Sequence, residues 1–157
     1  MDRVSVIPIH SLNGTIVGFS MDCSEHPPHS QHLKYCSDFS VENGLLFYVN
    51  NPRNLTDTAA QFPHLTLMKQ EDPALFGLWR ENVRQAVVIN RDFYHKQVQK
   101  PTFPELIKNI RKSYSDRVII DGVQSTWEFS VLQDCGIWAV QGYMYRSVPL
   151  KKLQWLL

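Results

Sequence analysis

Residues Val118–Pro149, VIIDGVQSTWEFSVLQDCGIWAVQGYMYRSVP, decide the fold of this chain because they predict two strands joined by a helix. The β-branched run at 118–120 is typical of a buried strand, and it ends at Asp121-Gly122. Ser125 and Glu128 stand three residues apart, which is the spacing of a capping box at the start of a helix.

The second half of the same stretch predicts the end of that helix and a returning strand. Apolar residues recur at helical spacing up to Cys135, and Gly136 stands where a glycine commonly follows a helix. The aromatic-rich run 137–145 is then typical of a second buried strand. Strand, helix and strand in this order require a right-handed crossover between parallel strands, so the sequence predicts an α/β fold.

Length and composition predict one globular domain covering residues 1–157. The chain of 18.2 kDa is 43% hydrophobic and 20% charged, as expected of a domain with a real core. Its net charge of +1 gives no reason to expect nucleic acid or a membrane surface as a partner. Three cysteines, with no signal peptide at Met1-Asp2-Arg3, indicate reduced thiols, so we expect a cytoplasmic location.

A hairpin, several strands and a second helix can also be predicted from local sequence patterns. Asn13-Gly14, between the apolar runs Val4–Leu12 and Thr15–Asp22, predicts an antiparallel hairpin. The runs Leu45–Asn50, His64–Gln70 and Ala86–Asn90 predict strands, and Pro73–Arg80 is a weaker candidate. Thr102 and Glu105 predict a helix start, followed by one apolar stripe: Phe103, Leu106, Ile107, Ile110 and Tyr114.

The segment from residue 23 to residue 44 shows no helical periodicity, so we predict a polar surface loop. Five potential zinc ligands lie in it: Cys23, His26, His29, His32 and Cys36. Zinc binds four such ligands readily, but this spacing matches no common zinc finger. We therefore predict no metal here and keep a zinc site as the alternative.

Basic and aromatic side chains outside these motifs allow two interpretations each. Lys108, Arg111 and Lys112 lie off the apolar stripe of their helix, as a solvated face or a nucleic-acid patch would; we favour the solvated face. Four tryptophans are candidate interface anchors. We predict that Trp127 and Trp138 lie in the core and that Trp155, in a short closing helix at 150–157, is exposed; Trp79 is left unassigned.

The chain resembles the EAL-domain family of cyclic-di-GMP phosphodiesterases near both of its ends. Pro8–Phe19 followed by Ser20-Met21-Asp22 resembles the family's signature segment, with Ser20 in place of the glutamate. Towards the other end the resemblance lies in Asp121-Gly122-Val123-Gln124-Ser125, Gly136, Gln141-Gly142-Tyr143 and Pro149. It implies an incomplete or distorted TIM-type (β/α) barrel of the EAL type, beginning with an antiparallel β-hairpin and lacking one or two helices.

An EAL phosphodiesterase holds two divalent cations with carboxylates at the ends of its strands. Matched position by position, Ser20, Asn90 and Gln124 stand where the family has acids, and Val88 where it has a lysine. No acid ends the strand at Lys69-Gln70. The resemblance therefore implies no catalytic residue, no metal and no cofactor, and we predict that the chain is not an enzyme.

Three residues keep a polar group at matched positions and form a vestigial ligand-binding set. Asn50 stands at the position of a metal-binding asparagine, and Gln141 is unchanged. Asp121 keeps a carboxylate that is one methylene shorter than the family's glutamate.

The segments Phe62–Leu65 and Arg91–Glu105 resemble a subgroup of shortened, acid-poor EAL proteins of enterobacteria. That subgroup includes the anti-activator that binds the flagellar master regulator and represses motility. The resemblance implies a regulatory protein that binds a transcription regulator such as that activator, in control of motility, virulence or adhesion; it does not indicate the binding surface.

Two alternatives remain open at this stage. A sensor could bind cyclic-di-GMP without hydrolysing it, through Gln141, Asn50 and Arg146, although loss of the metal ligands argues against tight binding. A scaffold for RNA decay or for a nuclease is disfavoured by the balanced charge.

Overall fold

The computed structural model describes residues 5–22, 30–50, 65–70, 85–141 and 147–157. Four α-helices are described: α1 (Ser30–Asn43), α2 (Arg91–Gln97), α3 (Phe103–Ser113) and α4 (Trp127–Asp134). The strands are β1 (Ser5–His10), β2 (Ile16–Asp22), β3 (Leu46–Asn50), β4 (Leu65–Gln70), β5 (Gln85–Ile89), β6 (Val118–Asp121), β7 (Ala139–Gln141) and β8 (Val148–Pro149), and a 3₁₀ helix follows at Leu150–Leu156.

All eight strands belong to one curled sheet. The order is β2-β3-β4-β5-β6-β7-β1-β8, and β1 pairs with β2 as well as with β7. The pairing thus returns to its starting strand, although β1 and β7 meet only at His10 and Val140. This mixed α/β architecture agrees with the predicted fold class and is consistent with an incomplete barrel, because a TIM-type barrel has eight parallel strands.

The first two strands form the predicted hairpin. Gly14 has φ 87°, which a residue with a side chain rarely adopts, and its amide donates to the carbonyl of Ser11 at 3.0 Å. Asn13 Oδ1 accepts from the amide of Thr15 at 3.1 Å. The loop is longer than two residues, and the register shifts between Ile9 and His10 as in a β-bulge.

Apolar residues form one cluster inside the curled sheet and two outside it. The inner cluster takes residues from six strands: Ile9, Tyr48, Met68, Ala86, Val88, Ile119 and Ala139. Outside, α2, α3 and α4 pack on β5–β7, whereas α1 and the 3₁₀ helix pack on β1–β3. Burial on both faces explains why these strands are nearly continuous apolar runs in the sequence.

The stripe predicted for the helix at 102–114 is confirmed. Helix α3 begins at Phe103, directly after Thr102, and its buried residues are Phe103, Ile107 and Ile110. Leu106 and Tyr114 are partly buried against the same cluster. The strand–helix–strand unit is confirmed as well, because β6 and β7 are parallel and α4 lies between them.

The loop predicted for residues 23–44 is wrong from residue 30 onwards, where α1 begins. Its buried side consists of Cys36, Ser37 and Ser40. Serine is a polar residue, so a helix that buries two serines shows no apolar periodicity in its sequence. Ser40 Oγ donates to the carbonyl of Ser37 at 2.7 Å, which satisfies a buried hydroxyl within the helix.

Strand β4 was predicted, but its direction was not. It runs antiparallel to both β3 and β5, pairing Tyr48 with Gln70 and Leu65 with Ile89. Lys69 therefore lies beside Gln85 at the amino end of β5, and Gln70 lies beside Tyr48 in the middle of β3. The candidate strand Pro73–Arg80 lies outside the described residues.

The tryptophan predictions are correct in part. Trp155 is 66% exposed, as expected, and Trp138 packs against the inner cluster. The core position predicted for Trp127 is wrong, because this residue is 51% exposed at the first position of α4, where Glu128 and Leu132 are the buried residues. Trp79 lies outside the described residues. Within the described ranges, no helix is long and apolar enough to cross a membrane.

Candidate functional site

Polar side chains meet where β5, β6 and β7 end, and we name this the carboxyl edge. These three strands are parallel, with Ile89 opposite Ile120 and Asp121 opposite Gln141. Because side chains alternate across a strand, Asp121 and Gln141 lie on the same face as Ile119 and Ala139 of the inner cluster. Asn90 follows β5 directly and precedes α2.

Asp121 and Gln141 are in direct contact. The side-chain amide of Gln141 donates a hydrogen bond to the Asp121 carboxylate. Gln141 is only 8% exposed, and among the described residues no donor reaches its buried Oε1. The pair therefore leaves one buried amide oxygen unsatisfied at the carboxyl edge, which is uncommon in folded proteins.

The side chains of Arg91 and His95 flank Asp121. Nη2 of Arg91 lies 3.8 Å from Oδ1 of Asp121, and the Arg91 side chain is about half exposed. Burial raises the pKa of Asp121 above its ordinary value, whereas Arg91, the hydrogen bond from Gln141 and the nearby His95 oppose that rise. Burial dominates, so this carboxyl group is protonated more readily than an exposed aspartate.

The turn after β6 holds these groups in place. Gly122 has φ 88°, and a Cβ there would lie 2.6 Å from Nε of Arg91. A glycine is therefore needed both for its backbone conformation and for the close approach of Arg91. His95 Nε2 lies 2.7 Å from the carbonyl oxygen of Gly122, and the Gly122 amide donates to the carbonyl of Gln141 at 3.1 Å.

Glu128 fixes the next part of the turn. Its Oε2 accepts from the backbone amides of Ser125 at 2.7 Å and Gln124 at 3.0 Å, and its Oε1 accepts from the hydroxyl of Tyr94. The carboxylate half of the predicted capping box is thus confirmed. Burial, together with the hydrogen bond and charge of Glu128, raises the pKa of Tyr94 far above its usual value.

Sequence reasoning placed the pair at the carboxyl edge but missed the residues that hold it. Arg91 and His95 lie four residues apart on α2, so one face of this helix presents both to the turn at Gly122. Tyr94, on the same helix, is fully buried and its hydroxyl group donates to Glu128. Of the residues around the turn, only Glu128 could be found from the sequence, through its capping-box spacing from Ser125. The contacts between α2 and α4 join residues far apart in the chain, so they leave no periodic pattern in the sequence.

The third predicted ligand residue, Asn50, is not beside this pair. The backbone of Asn50 pairs with that of Asp22 on β2. Strands β4 and β5 separate β3 from β6. At roughly 4.8 Å per strand, Asn50 and Asp121 are about 14 Å apart along the sheet.

The donor set at the carboxyl edge does not fit the two cations of an EAL phosphodiesterase. Such cations need several oxygen ligands, mainly carboxylates. The interior-facing position of β5 beside Ile119 is the apolar Val88, and Ser20 is buried with only a hydroxyl group. The side chain of Gln124 is exposed. Among the described residues, no group of three or more His, Cys, Asp or Glu could hold a metal ion.

The alternative zinc cluster lies mostly outside the described residues, which include neither Cys23, His26 nor His29. Cys36, on the buried side of α1, is fully buried in the outer cluster that packs on β1–β3. His32 is partly buried on the same helix. A fully buried Cys36 packs as an apolar side chain, which is its usual role in a core.

Comparison with known proteins gives one informative result. No protein-family model matches the sequence, and no curated protein matches it. Among solved structures, the EAL-like domain protein YdiV is similar, with a TM-score of 0.60 and 13% sequence identity over 98% of this chain and 95% of that chain. Identity at this level shows the fold alone, so the conclusion that the comparison supports is that this chain folds like an EAL-like domain protein.

Proposed function

We propose that the chain is a non-catalytic EAL-like regulatory protein that acts in the cytoplasm by binding another protein, a transcription regulator. The observation that carries this proposal is the composition of the carboxyl edge. Its described interior-facing positions supply a single carboxylate, Asp121, which is already engaged by Gln141 and Arg91. A two-cation hydrolase requires several such oxygens to activate water and neutralise phosphate, so the edge supports binding without hydrolysis.

Exposed apolar side chains favour a protein partner. In the part of the chain that the structure describes, the large hydrophobic residues with high exposure are Tyr35 at 48%, Val41 at 64%, Trp127 at 51%, Trp155 at 66% and Leu157 at 68%. Tryptophan and tyrosine are enriched among the residues that dominate binding energy at protein interfaces. Two tryptophans that are more than half exposed on separate elements therefore support an interaction surface.

The choice of a transcription regulator rests on the sequence resemblance and on the fold. Residues 91–105 resemble the subgroup that contains the flagellar anti-activator, and the fold is similar to that of an EAL-like domain protein. Helix α2 and the start of α3 make up this segment. We propose a partner of the same class, such as a flagellar master activator.

A pull-down from lysate of the native host tests the proposal, with tagged full-length chain as bait and mass spectrometry as readout. We expect a transcription regulator recovered in stoichiometric amount and displaced by an excess of untagged chain. A parallel assay incubates the chain with cyclic-di-GMP and Mg²⁺ or Mn²⁺, and we expect no turnover. Hydrolysis that disappears in Asp121→Asn would overturn the non-catalytic assignment.

One observation favours a second candidate function, a sensor that binds cyclic-di-GMP. The unsatisfied, buried Oε1 of Gln141 could accept a hydrogen bond from a ligand, and a guanine base carries such donors. Isothermal titration of the chain with cyclic-di-GMP separates the two candidates. Binding that is lost in Gln141→Leu and kept in the exposed control Gln133→Leu would favour the sensor; absence of binding would favour the protein binder.

A further inference from the structure

The 3₁₀ helix at Leu150–Leu156 presents one face to the core and another to solvent. In a 3₁₀ helix, residues three apart line up on one side. Leu153 is fully buried in the outer cluster that packs on β1–β3, and Leu150 and Leu156 are partly buried against that cluster. These leucines therefore hold the segment on the sheet, although its backbone is kinked at Lys152, with φ −114° and ψ 29°. Lys151, Trp155 and Leu157 are exposed to solvent.

The solvent-facing side of this segment combines an aromatic ring with positive charge. Trp155 is 66% exposed, and Nζ of Lys152 lies 4.2 Å from the centroid of its ring. This cation–π contact joins residues three apart, one of them at the kink. Lys151 and Leu157 are exposed as well. We call the surface of Lys151, Lys152, Trp155 and Leu157 the tryptophan face.

The described strands that the 3₁₀ helix contacts add no acidic side chain to the tryptophan face. The 3₁₀ helix contacts β8 and β1. These three elements together contain two lysines and no aspartate or glutamate. A partner that covers the ring must therefore also face two ammonium groups, which carboxylates would neutralise.

We infer that the tryptophan face docks a protein segment in which an apolar side chain is flanked by carboxylates. This inference rests on the proposed protein-binding function and specifies the chemistry of the partner. The Trp155 ring is already in contact with the Lys152 ammonium group, so it loses little conformational freedom on binding, and aromatic residues of this kind dominate interface energies. An anionic membrane fits less well, because two lysines contribute only about 1 kcal/mol each there and the leucines of the segment are already packed against the outer cluster.

Two synthetic peptides of equal length and identical apolar pattern provide the test. One carries glutamate and aspartate around a leucine and a phenylalanine, and the other carries lysine at the same positions. Binding to the full chain is followed by fluorescence anisotropy of the labelled peptide. We expect the acidic peptide to bind at least about tenfold more tightly than the basic one, and added salt to weaken it.

Variants locate the binding. Trp155→Ala should lower the affinity for the acidic peptide by about tenfold or more. The double variant Lys151→Glu, Lys152→Glu should bind the basic peptide more tightly than the acidic one. Trp127→Ala is the matched control, because it removes a similarly exposed tryptophan from α4 and should leave binding unchanged. All these positions lie on the surface, and circular dichroism verifies that each variant folds.

Three results would overturn the inference: binding of neither peptide, an equal loss in Trp127→Ala, or binding of anionic vesicles in place of the acidic peptide. Its failure is distinguishable from failure of the proposed function. A pull-down that recovers a regulator equally well with Trp155→Ala bait refutes the tryptophan face alone. Acidic-peptide binding without any recovered regulator supports the face and refutes the choice of partner.

Discussion

Replacing Glu128 with alanine tests whether this buried carboxylate holds the turn that carries Asp121. Glu128 is only 4% exposed and accepts hydrogen bonds from the amides of Gln124 and Ser125 and from the hydroxyl of Tyr94. Its removal leaves the Tyr94 hydroxyl, on a fully buried residue, without its acceptor. The two amides lie in a partly exposed turn, so water can replace the carboxylate there.

The size of the effect follows from these three contacts. A hydrogen bond to a charged group contributes about 1.5–3 kcal/mol, and the cost of burying the carboxylate offsets part of the sum. We therefore expect Glu128→Ala to lower the free energy of unfolding by about 3 kcal/mol. Since each kcal/mol shifts the melting temperature of a domain this size by roughly 2–4 °C, Tm should fall by about 6–12 °C.

Urea and thermal unfolding of four variants provide the measurement. Tyr94→Phe removes one donor and should cost about 1–2 kcal/mol, and the double variant should show a coupling energy of similar size. Glu105→Ala is the matched control, because it removes an exposed glutamate from the first turn of α3 and should cost no more than about 0.5 kcal/mol. A loss below about 1 kcal/mol in Glu128→Ala, or perfect additivity with Tyr94→Phe, would refute the network.

Three other predictions address the carboxyl edge and the interior below it. Gly122→Ala should cost about 2 kcal/mol, since it adds displacement of Arg91 to the strain of a positive φ. Gly44→Ala is the control, because Gly44 has φ 65° and open space where a Cβ would lie, and it should cost about 1 kcal/mol. Equal losses of unfolding free energy in Gly122→Ala and Gly44→Ala, measured by urea unfolding, would argue against the Arg91 contact. Because the pKa of Asp121 is raised in the folded state, the native protein binds more protons than the unfolded chain just above the ordinary value of 3.8, so this group's contribution to stability falls as pH rises. When the free energy of unfolding is measured at several values between about pH 4 and about pH 7, Asp121→Asn should therefore gain stability relative to the parent as pH rises. A loss of stability relative to the parent would contradict this prediction. Val88→Lys, which restores the family's lysine, should cost about 4 kcal/mol or more because it places an ammonium group among the mostly apolar side chains of the inner cluster. Val88→Ala should cost about 1–2 kcal/mol. A lysine variant as stable as the parent in urea unfolding would show that the carboxyl edge accommodates the charge and would weaken the non-catalytic assignment.

Local chemistry was sufficient to predict several elements and part of the candidate site. Asn13-Gly14 favours a hairpin wherever apolar runs flank it, and the structure has that hairpin. The apolar stripe of α3 follows from helical spacing alone. Asp121 and Gln141 each end a strand of one strand–helix–strand unit, so their meeting follows from parallel pairing.

Features that depend on distant residues could not be predicted in the same way. The residues of α1 gave no apolar period, because its buried side includes the polar residues Ser37 and Ser40, and Ser40 satisfies its hydroxyl group within the helix. Trp127 belongs to an apolar pattern, but the packing of Glu128 against Tyr94 turns α4 so that the ring faces solvent.

The hairpin, the amphipathic helix α3 and the adjacency of Asp121 and Gln141 can thus be predicted from the amino acids alone, because each depends on neighbours along the chain or on one crossover unit. The direction of β4, the distance of Asn50 from that pair, and the contacts of Arg91, His95 and Glu128 around the turn depend on the folded chain. Strand direction and contacts between helices arise from pairing and packing of residues far apart in the chain, and these leave no periodic signal in the order of amino acids.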